Sequence, residues 1–366
     1  MIHTLRLQGY RSVRDLTLEL GRVNVMTGAN GCGKSNLYRG LKLLSAAARG
    51  TLAKSLAAEG GMKSVLYAGP EGRRTRRKER PQQVIVTVQF YEFNYEFACG
   101  IPPRDTTSAF NKDPEVKEEW LWHGEKRRPS TTRLERKASS AWVHDRDSNR
   151  VVYPVALDPG EAVLSQITEP HLYPEVSILR HRILGWRFYH AFPTHADAHL
   201  RHPQIGVRTP VLSDDGRDLA AALQTILEVG DDRALHRAVF SAFDGAGLAV
   251  AASGEGRFSF SLAVPGVSRP IEATEMSDGT LRYLCLVAAL LTPRPPNLLA
   301  FNEPETSLHP QLLEPLADLF ASASERSQLW IVTHSRILAD AIDARCAGAK
   351  VDLELRDAQT EIVARD

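Results

Sequence analysis

The sequence is poor in cysteine, has no excess of either charge and contains no long apolar run. Its four cysteines are scattered and form no Cys-x-x-Cys pair, which excludes a disulfide framework and a four-cysteine zinc site. No apolar stretch approaches the roughly 18 residues that span a bilayer, and charged residues occur throughout the N-terminal segment. We therefore expect a cytoplasmic protein, neither secreted nor membrane-embedded. The cysteines are Cys32, Cys99, Cys285 and Cys346.

Charge, length and composition bound the class of protein. The chain has 45 Lys and Arg against 44 Asp and Glu, a formal net charge of +1, with 43% hydrophobic residues. This is ordinary globular composition, which excludes a disordered chain, and the charge balance gives no global argument for nucleic acid. At 366 residues we expect one large or two interlocked domains. The absence of repeats and heptads excludes a long coiled coil.

The first half of the sequence predicts a mostly antiparallel sheet. Alternating apolar and polar residues predict short strands before Gly28 and two more within residues 83–99. Further strands are predicted at 119–122, 141–144 and 151–156. Two basic segments without periodicity, 72–81 and 126–137, are predicted to be exposed loops.

The second half predicts helices followed by a parallel α/β sheet. Helical spacing of apolar residues occurs at 174–187, 217–228 and 232–243, and short strands and turns are predicted within 245–265. An apolar helix is predicted from Leu281 to Leu291. The all-apolar runs LLAF and LWIVT then alternate with helices, which is typical of central parallel strands buried on both faces.

A phosphate-binding loop is the strongest motif. Residues 28–35, GANGCGKS, match GxxxxGK[ST] between a predicted strand and a helix from Lys34 to Ala48. The glycines let successive N–H groups point at phosphate oxygens, Lys34 adds positive charge at the β/γ-phosphates, and the Ser35 hydroxyl can ligate Mg²⁺. The residues expected to bind ATP are Asn30, Gly31, Cys32, Gly33, Lys34, Ser35 and Asn36.

Polar residues follow two buried strands near the other end of the chain. The run from Asn302 to Glu305 follows LLAF, and His334 follows LWIVT. Ligands in α/β sheets bind at the carboxyl ends of the strands. We therefore expect both strand tips to converge on Lys34.

The ordered set GANGCGKS, VLSQ, EMSDGTLRYL, FNEPETSLHP and IVTHS resembles the ABC-type ATPase heads of the SMC and RecF group. It is most similar to small bacterial predicted ATPases without a coiled coil, the AAA family ATP-binding proteins. The resemblance implies an α/β P-loop NTPase fold of ABC-ATPase type, with a mixed central sheet, an antiparallel β subdomain and a helical lobe. It divides the chain into an N-terminal ATP-binding part (1–165), a helical lobe (166–275) and a C-terminal ATP-binding part (276–366).

The resemblance also implies roles for individual residues. Two heads of a homodimer would sandwich ATP, with Ser277, Asp278 and Gly279 acting as the signature in trans. Gln166 resembles the Q-loop glutamine that approaches Mg²⁺, Glu303 falls at the catalytic carboxylate, and His334 falls at the switch histidine that senses the γ-phosphate. Lys34 completes the catalytic set. The segment from Ser307 to His309 resembles the D-loop, with histidine in place of its usual aspartate.

One departure bears on the chemistry, because Asn302 replaces the Walker B aspartate that holds Mg²⁺ through water. The amide can still accept a hydrogen bond, but its attraction for the metal is weaker. Three explanations are open: a natural variant in which Glu303 and Glu305 compensate, a deliberate substitution, or a weakened ATPase. We favour the natural variant and expect slow hydrolysis.

Two weaker patterns receive structural interpretations. The histidines between His190 and His202 invite a metal site, but prolines interrupt the segment and no catalytic carboxylate is near in sequence, so only Mg²⁺ bound with ATP is expected. The basic run from Arg73 to Arg80 lacks interleaved aromatics and is more typical of a solvated loop than of a DNA contact.

The leading hypothesis is an ATPase, converting ATP and water to ADP and phosphate, whose ATP-driven dimerisation switches a DNA or protein partner. The alternative is an ATP-gated scaffold that scarcely hydrolyses, because of Asn302. A transporter subunit is disfavoured by the diverged signature. Because only a short segment follows His334, we expect no appended TOPRIM nuclease domain of the kind found in the related OLD-type nucleases. Repair, phage defence and regulation of a partner nuclease all remain compatible with the sequence.

Overall fold

A computed structural model describes residues 1–70, 82–102, 110, 113–145 and 148–363. The chain folds into two compact units. Unit 1 comprises Met1–Gly21, Gly28–Trp186 and Val351–Asp366, and unit 2 comprises Arg22–Thr27 and Arg187–Lys350. The three-part division by lobes stays a prediction. The basic run from Arg73 to Arg80 lies outside the described residues.

Strands and helices both contribute to each unit. The strands are β1 Ile2–Tyr10, β2 Val13–Glu19, β3 Val23–Gly28, β4 Gln83–Phe90, β5 Asn94–Gly100, β6 Glu115–Trp122, β7 Thr132–Lys137, β8 Ser140–His144, β9 Arg150–Val152, β10 Arg187–Tyr189, β11 Gln204–Ile205, β12 Gly247–Ala252, β13 Arg257–Ala263, β14 Ile271–Glu272, β15 Leu298–Asn302, β16 Gln328–Val332, β17 Lys350–Arg356 and β18 Gln359–Ile362. The helices are α1 Lys34–Arg49, α2 Leu52–Ala58, α3 Met62–Val65, α4 Val163–Gln166, α5 Pro174–Leu184, α6 Leu219–Val229, α7 Asp232–Ala242, α8 Asp278–Leu290, α9 Leu313–Ser324 and α10 Arg336–Arg345, with short 3₁₀ helices at His199–Arg201 and Pro310–Leu312. None of the described helices combines the length and apolar composition needed to cross a bilayer.

Unit 1 is built on an eight-stranded antiparallel sheet in the order β2-β1-β4-β5-β6-β7-β8-β9. Helix α1 buries Leu37, Leu41 and Leu44 along one stripe, as the apolar spacing predicts. The helix and β1 approach closely, because a Cβ at Gly40 would lie 2.7 Å from Leu7 Cδ2. The predicted helix after the phosphate loop and the strands within 83–99 are therefore confirmed.

The expected loop over 126–137 is wrong in its second half, where β7 is a strand. The sequence TRLERK lacks a clear apolar alternation, because Arg136, a charged residue, occupies a buried position on the inner face of the sheet. The predicted strand over 151–156 is shorter, since β9 ends at Val152 and Pro154 follows.

A buried ion pair occupies the inner face of this sheet. Glu119 and Arg136 are both fully buried, and Arg136 Nη1 lies 2.8 Å from Glu119 Oε2. The Tyr95 hydroxyl and the Val163 N–H also donate to the Glu119 carboxylate. Burial raises the pKa of the Glu119 carboxyl, and the charge of Arg136 opposes that rise. Removal of either partner would leave the other charge uncompensated in the core.

We expect Glu119→Ala to lower the free energy of unfolding by about 3–5 kcal/mol, because Arg136 would remain buried without its counter-charge. Urea unfolding followed by circular dichroism measures this loss. Glu118→Ala is the matched control, since Glu118 is exposed on the same strand and should change stability by no more than about 0.5 kcal/mol. Equal losses in the two variants would contradict the assigned role of the pair.

Unit 2 contains a parallel sheet in the order β10-β15-β16-β3. Every residue of β15 and β16 is buried, which confirms the prediction of central strands covered on both faces. Phe301 of β15 lies between two aromatic neighbours, with its ring centroid 5.1 Å from that of Phe320 and 5.2 Å from that of Tyr189. Strands β11, β13, β12 and β14 form a small antiparallel sheet.

Two helix boundaries in the second half of the chain differ from expectation. The helix predicted over 174–187 ends at Leu184, and the residues from Arg187 form the edge strand β10. The helix predicted from Leu281 begins at Asp278, because the side chain of Ser277 caps it. Helices α6 and α7 lie where the apolar spacing predicts them.

Candidate functional site

The phosphate loop of unit 1 has the backbone conformation that its glycines predict. Gly28, Gly31 and Gly33 have φ values of +138°, +79° and +104°, in the region that side chains disfavour. Helix α1 starts directly after Gly33. Left-handed turns beside a helix N-terminus direct N–H groups into one concavity, which is suited to an anion.

Lys34 lies under this loop. Its side chain is buried, and its ammonium donates to the Gly28 carbonyl at 2.7 Å and the Ala29 carbonyl at 2.9 Å. The positive charge of Lys34 is therefore held against the loop backbone, where both of these hydrogen-bond acceptors are neutral carbonyl groups. Such a charge would be better satisfied by a phosphate oxygen than by carbonyls alone.

Close packing requires glycine at two loop positions. A Cβ at Gly28 would lie 2.1 Å from the Leu353 carbonyl oxygen, and one at Gly33 would lie 2.0 Å from Thr360 Oγ1. The β17–β18 hairpin therefore restricts these positions sterically. Asn36 Nδ2 donates to Ser12 Oγ at 2.8 Å, and Ser12 Oγ also bonds to Thr360 Oγ1 at 2.7 Å.

The other predicted loop residues differ in exposure. Asn30 and Gly31 are exposed, Ser35 is half-buried, and Cys32 is buried. Because the Asn36 amide is engaged by Ser12, the exposed backbone and Ser35 are the stronger candidates for contact with a nucleotide.

Gln166, at the end of α4, bonds to its own segment. Its Oε1 accepts from the Asp158 N–H at 2.7 Å, and its Nε2 donates to the carbonyls of Glu161 at 2.9 Å and Asp158 at 3.2 Å. These bonds fix the turn that precedes α4. Its role near Mg²⁺ stays a prediction, and the amide would have to exchange these partners to fulfil it.

In unit 2, β15 ends at Asn302, a residue that is only 4% exposed. Asn302 Nδ2 lies 2.9 Å from His190 Nδ1. Its Oδ1 is buried and has no hydrogen-bond partner within the part of the chain that the structure describes. His190 thus contacts the amide nitrogen of Asn302, and the amide oxygen is able to accept a hydrogen bond from another donor or to face a cation. Sequence reasoning missed this pairing because it joins residues 112 positions apart.

Glu303 follows Asn302 in a left-handed backbone conformation, with φ +52°. For a residue with a side chain this conformation costs about 1–2 kcal/mol, and such strain is concentrated at functional positions. Its Oε1 lies 3.1 Å from His334 Nε2. The predicted catalytic carboxylate and the predicted switch histidine are therefore in direct contact.

Glu305 connects the ends of β15 and β16. Its Oε1 accepts from the backbone N–H groups of His334 at 2.8 Å and Ser335 at 3.1 Å. Its Oε2 is buried and, among the described residues, has no hydrogen-bond partner. Glu305 thus holds the His334 backbone in place for the contact with Glu303.

These unpartnered oxygens fit a hydrated Mg²⁺, which prefers oxygen ligands and retains several waters. Asn302 Oδ1 and Glu305 Oε2 are such acceptors. Across the described ranges there is no group of three or more His, Cys, Asp or Glu side chains able to hold a metal ion.

The signature segment lies at the N-terminus of α8. Ser277 Oγ accepts from the Thr280 N–H at 3.1 Å, and the side chains of Ser277 and Asp278 are exposed. Gly279 packs against the predicted D-loop, because a Cβ there would lie 2.5 Å from the Ser307 carbonyl oxygen. Ser307 itself is left-handed, with φ +66°.

Arg201 fixes the chain that leads into this signature, and sequence reasoning did not identify it. Its guanidinium donates to the carbonyls of Ala273 and Thr274, each at 3.2 Å, and of Met276 at 2.8 Å. Nη2 also donates to Asp278 Oδ1 at 2.8 Å. Nε also donates to the Thr194 carbonyl at 2.7 Å. Because one planar group satisfies four carbonyls and a carboxylate, Arg201 determines the path of residues 273–278.

We expect Arg201→Ala to raise amide hydrogen exchange over residues 273–278 by at least about tenfold, because charge-assisted bonds of about 1.5–3 kcal/mol are removed. Mass spectrometry of exchanged peptides measures this. Arg201→Lys should restore only part of the protection, since an ammonium cannot span all five acceptors. Arg208→Ala, an exposed arginine of the same unit, should leave these residues unchanged. A uniform rise across unit 2 would contradict a local role.

Comparison with known families gives one match. The family model described as "AAA domain, putative AbiEii toxin, Type IV TA system" matches residues 23–340. No curated protein matches the chain in a sequence search.

Comparison with solved structures shows the fold of SMC head domains. An SMC head bound to the C-winged helix domain of ScpA has a TM-score of 0.57 at 14% identity, with 100% of this chain and 98% of that chain covered. An SMC head with an extended coiled coil from Pyrococcus furiosus, bound to the C-terminal domain of ScpA, has a TM-score of 0.54 at 14% identity, covering 100% and 96%. An SMC head with a coiled coil and joint from Pyrococcus yayanosii has a TM-score of 0.53 at 10% identity, covering 100% and 97%. At these identities the likeness establishes a P-loop ATPase head fold.

Proposed function

The chain belongs to the AAA domain family whose model matches residues 23–340, and we propose that it binds ATP with Mg²⁺, hydrolyses it slowly, and forms a head-to-head dimer during the ATP hydrolysis cycle. The observation that carries the proposal is the contact between Glu303 and His334, 3.1 Å apart, beside the buried Asn302. A carboxylate held by a histidine at the end of a buried strand is suited to activating water.

The phosphate loop supplies the binding part of the function. The left-handed glycines, the buried Lys34 ammonium and the α1 N-terminus together form an anion site for the β- and γ-phosphates. Ser35 and Asn302 are the proposed residues for holding Mg²⁺, the latter through water. Bound Mg²⁺ would neutralise the charge that develops on the phosphates.

Glu303 is the proposed base or water-positioning residue. With the Nε2–H tautomer, His334 donates to Glu303 Oε1 and fixes the direction of the carboxylate. The other carboxylate oxygen remains able to accept a proton from water. His334 is proposed to sense the γ-phosphate by exchanging this contact for the phosphate.

Exposure of the signature supports dimerisation. Ser277 and Asp278 are both exposed at the start of α8, where a serine hydroxyl and helix N–H groups can bind an anion. We assign Ser277, Asp278 and Gly279 to the γ-phosphate held by a second copy. A homodimer in the cytoplasm, switching a DNA or protein partner, is the setting we propose.

Steady-state phosphate release from ATP with Mg²⁺ tests the proposal. We expect Lys34→Ala to abolish turnover by removing the phosphate contact, and Glu303→Gln to lower turnover at least about 100-fold, because a positioned base contributes about 10²–10⁴-fold. Light scattering follows the dimer, which Glu303→Gln should preserve in ATP. Glu314→Gln, an exposed carboxylate of unit 2, is the control and should leave turnover unchanged. Hydrolysis retained in Glu303→Gln would remove Glu303 from the catalytic role.

A second candidate function is an ATP-gated scaffold that dimerises with little hydrolysis. The neutral Asn302 favours it, because an amide holds hydrated Mg²⁺ less strongly than a carboxylate does. ATP-dependent dimers of wild-type protein without phosphate release would support the scaffold over the ATPase.

We expect Asn302→Asp to raise turnover and to lower the Mg²⁺ concentration needed for half-maximal rate. The added charge attracts the cation, and His190 Nδ1, 2.9 Å from the present amide nitrogen, can donate a hydrogen bond to the other carboxylate oxygen as the Nδ1–H tautomer. A Mg²⁺ titration of phosphate release measures both effects. Asn297→Asp makes the same chemical change at an exposed site before β15 and should have no effect. An unchanged Mg²⁺ dependence in Asn302→Asp would mean that other groups already hold the metal.

A further inference from the structure

The outer face of the unit 1 sheet carries a groove of about 360 Å³ that the proposed ATPase does not use. Two tryptophans and four arginines form most of it, and we name it the tryptophan groove. These residues are Trp120, Trp142, Arg127, Arg128, Arg133 and Arg150.

Strand register places both tryptophans on the same face. Trp120 of β6 pairs with Glu135 of β7, and Glu135 pairs with Trp142 of β8. Directly paired residues of neighbouring strands point to the same side of a sheet. The residues that follow them, Leu121 and Val143, are buried on the opposite side, so the tryptophans face outward. Two half-buried tryptophans on an otherwise polar outer face are not explained by the core.

Guanidinium groups lie over both rings. The Arg127 guanidinium carbon is 4.1 Å from the Trp120 ring centroid, and that of Arg150 is 5.5 Å from the Trp142 ring centroid. The side chains of Arg127 and Arg150 are 41% and 54% exposed. These are cation–π contacts. An unpaired base that stacks on either ring would take the place of the guanidinium, which can then contact the neighbouring phosphate.

The groove has an excess of positive charge. Four arginines line it against one acidic residue, Glu135. Arg150 pairs with Glu135 at 2.7 Å and Arg127 with Glu96 at 3.0 Å. The arginine of each pair is much more exposed than its carboxylate, so an incoming phosphate can reach the guanidinium and compete with the carboxylate for it.

We propose that the tryptophan groove binds single-stranded nucleic acid, with unpaired bases stacking on Trp120 and Trp142 and phosphates contacting Arg127 and Arg150. Rings and guanidinium planes offer flat surfaces, and only an unpaired base presents its face to them. A duplex or an acidic peptide would contact the arginines through its negative charges, but neither would stack on the tryptophan rings. The groove lies within unit 1, so binding is expected without ATP and does not depend on the proposed ATPase.

Fluorescence anisotropy of labelled oligonucleotides tests this with the full chain, without nucleotide, in about 50 mM salt. The probes are oligo-dT and oligo-rU of about 15 nucleotides, a duplex of equal length, and poly-glutamate as the peptide competitor. Quenching of tryptophan emission on binding reports stacking, which a merely structural role would not produce.

We expect Trp142→Ala to weaken oligo-dT binding at least about fivefold, and Trp142→Phe to restore most of the affinity. Arg150→Glu should weaken binding about tenfold and make the slope of log affinity against log salt shallower by about 0.7 for each phosphate that is no longer neutralised. Arg208→Glu is the control, because Arg208 is an exposed, glutamate-paired arginine of unit 2, and it should leave affinity unchanged.

Absence of oligonucleotide binding would overturn the proposal, as would affinity unchanged in Arg150→Glu. Tighter binding of the duplex, or equal competition by poly-glutamate, would replace single-stranded nucleic acid by another ligand class and overturn it as well. Arg150 is 54% exposed and Arg150→Glu removes no core contact, so this variant keeps the test valid even where Trp142→Ala fails to fold. Phosphate release from ATP by the wild-type protein is measured on the same preparation, so that failure of the nucleic-acid proposal can be distinguished from failure of the ATPase proposal.

Discussion

Unit 1 depends on the fully buried ion pair between Glu119 and Arg136. Arg136 donates to the carbonyls of Asp158, at 2.8 Å, and Glu161, at 2.5 Å, and Glu119 accepts from the Val163 N–H. The pair therefore connects β6 and β7 to the segment that ends in α4. Two charges that are costly to bury become stable only when all their hydrogen bonds are made at once. Because Gln166 is the last residue of α4, the hydrogen bonds of the ion pair also determine where Gln166 lies.

Unit 2 depends on satisfying polar groups where buried strands end. Asn302 is the last residue of β15, and the chain leaves the sheet through left-handed Glu303. Glu305 accepts the N–H groups that follow β16, and the Glu303 N–H donates to the Val332 carbonyl at 2.7 Å. The hydrogen bonds of Glu303 N–H and of the Glu305 carboxylate thus keep Glu303 in its strained left-handed conformation. A relaxed backbone at this position would direct the carboxylate elsewhere.

Much of the fold was predictable because its signals are local. The strands within 83–99, helix α1 and the buried runs of β15 and β16 follow from apolar periodicity, and the phosphate loop follows from its glycines. The strand β7 was not predictable, because Arg136 looks like a surface residue until its partner Glu119 is known. His190 and Arg201 act through residues 112 and 77 positions away. No local pattern reports such contacts.

Gly279 illustrates how a steric constraint complicates the interpretation of a motif. The space for a side chain at this residue is filled by the Ser307 carbonyl oxygen, 2.5 Å from where a Cβ would lie. Because Ser307 is already in a left-handed conformation, it has little freedom to withdraw. A bulkier residue at 279 would deform the turn after β15 within the same chain. Loss of activity in a substitution at this glycine would therefore report damage within the chain itself, separately from any contribution of Gly279 to the proposed dimer.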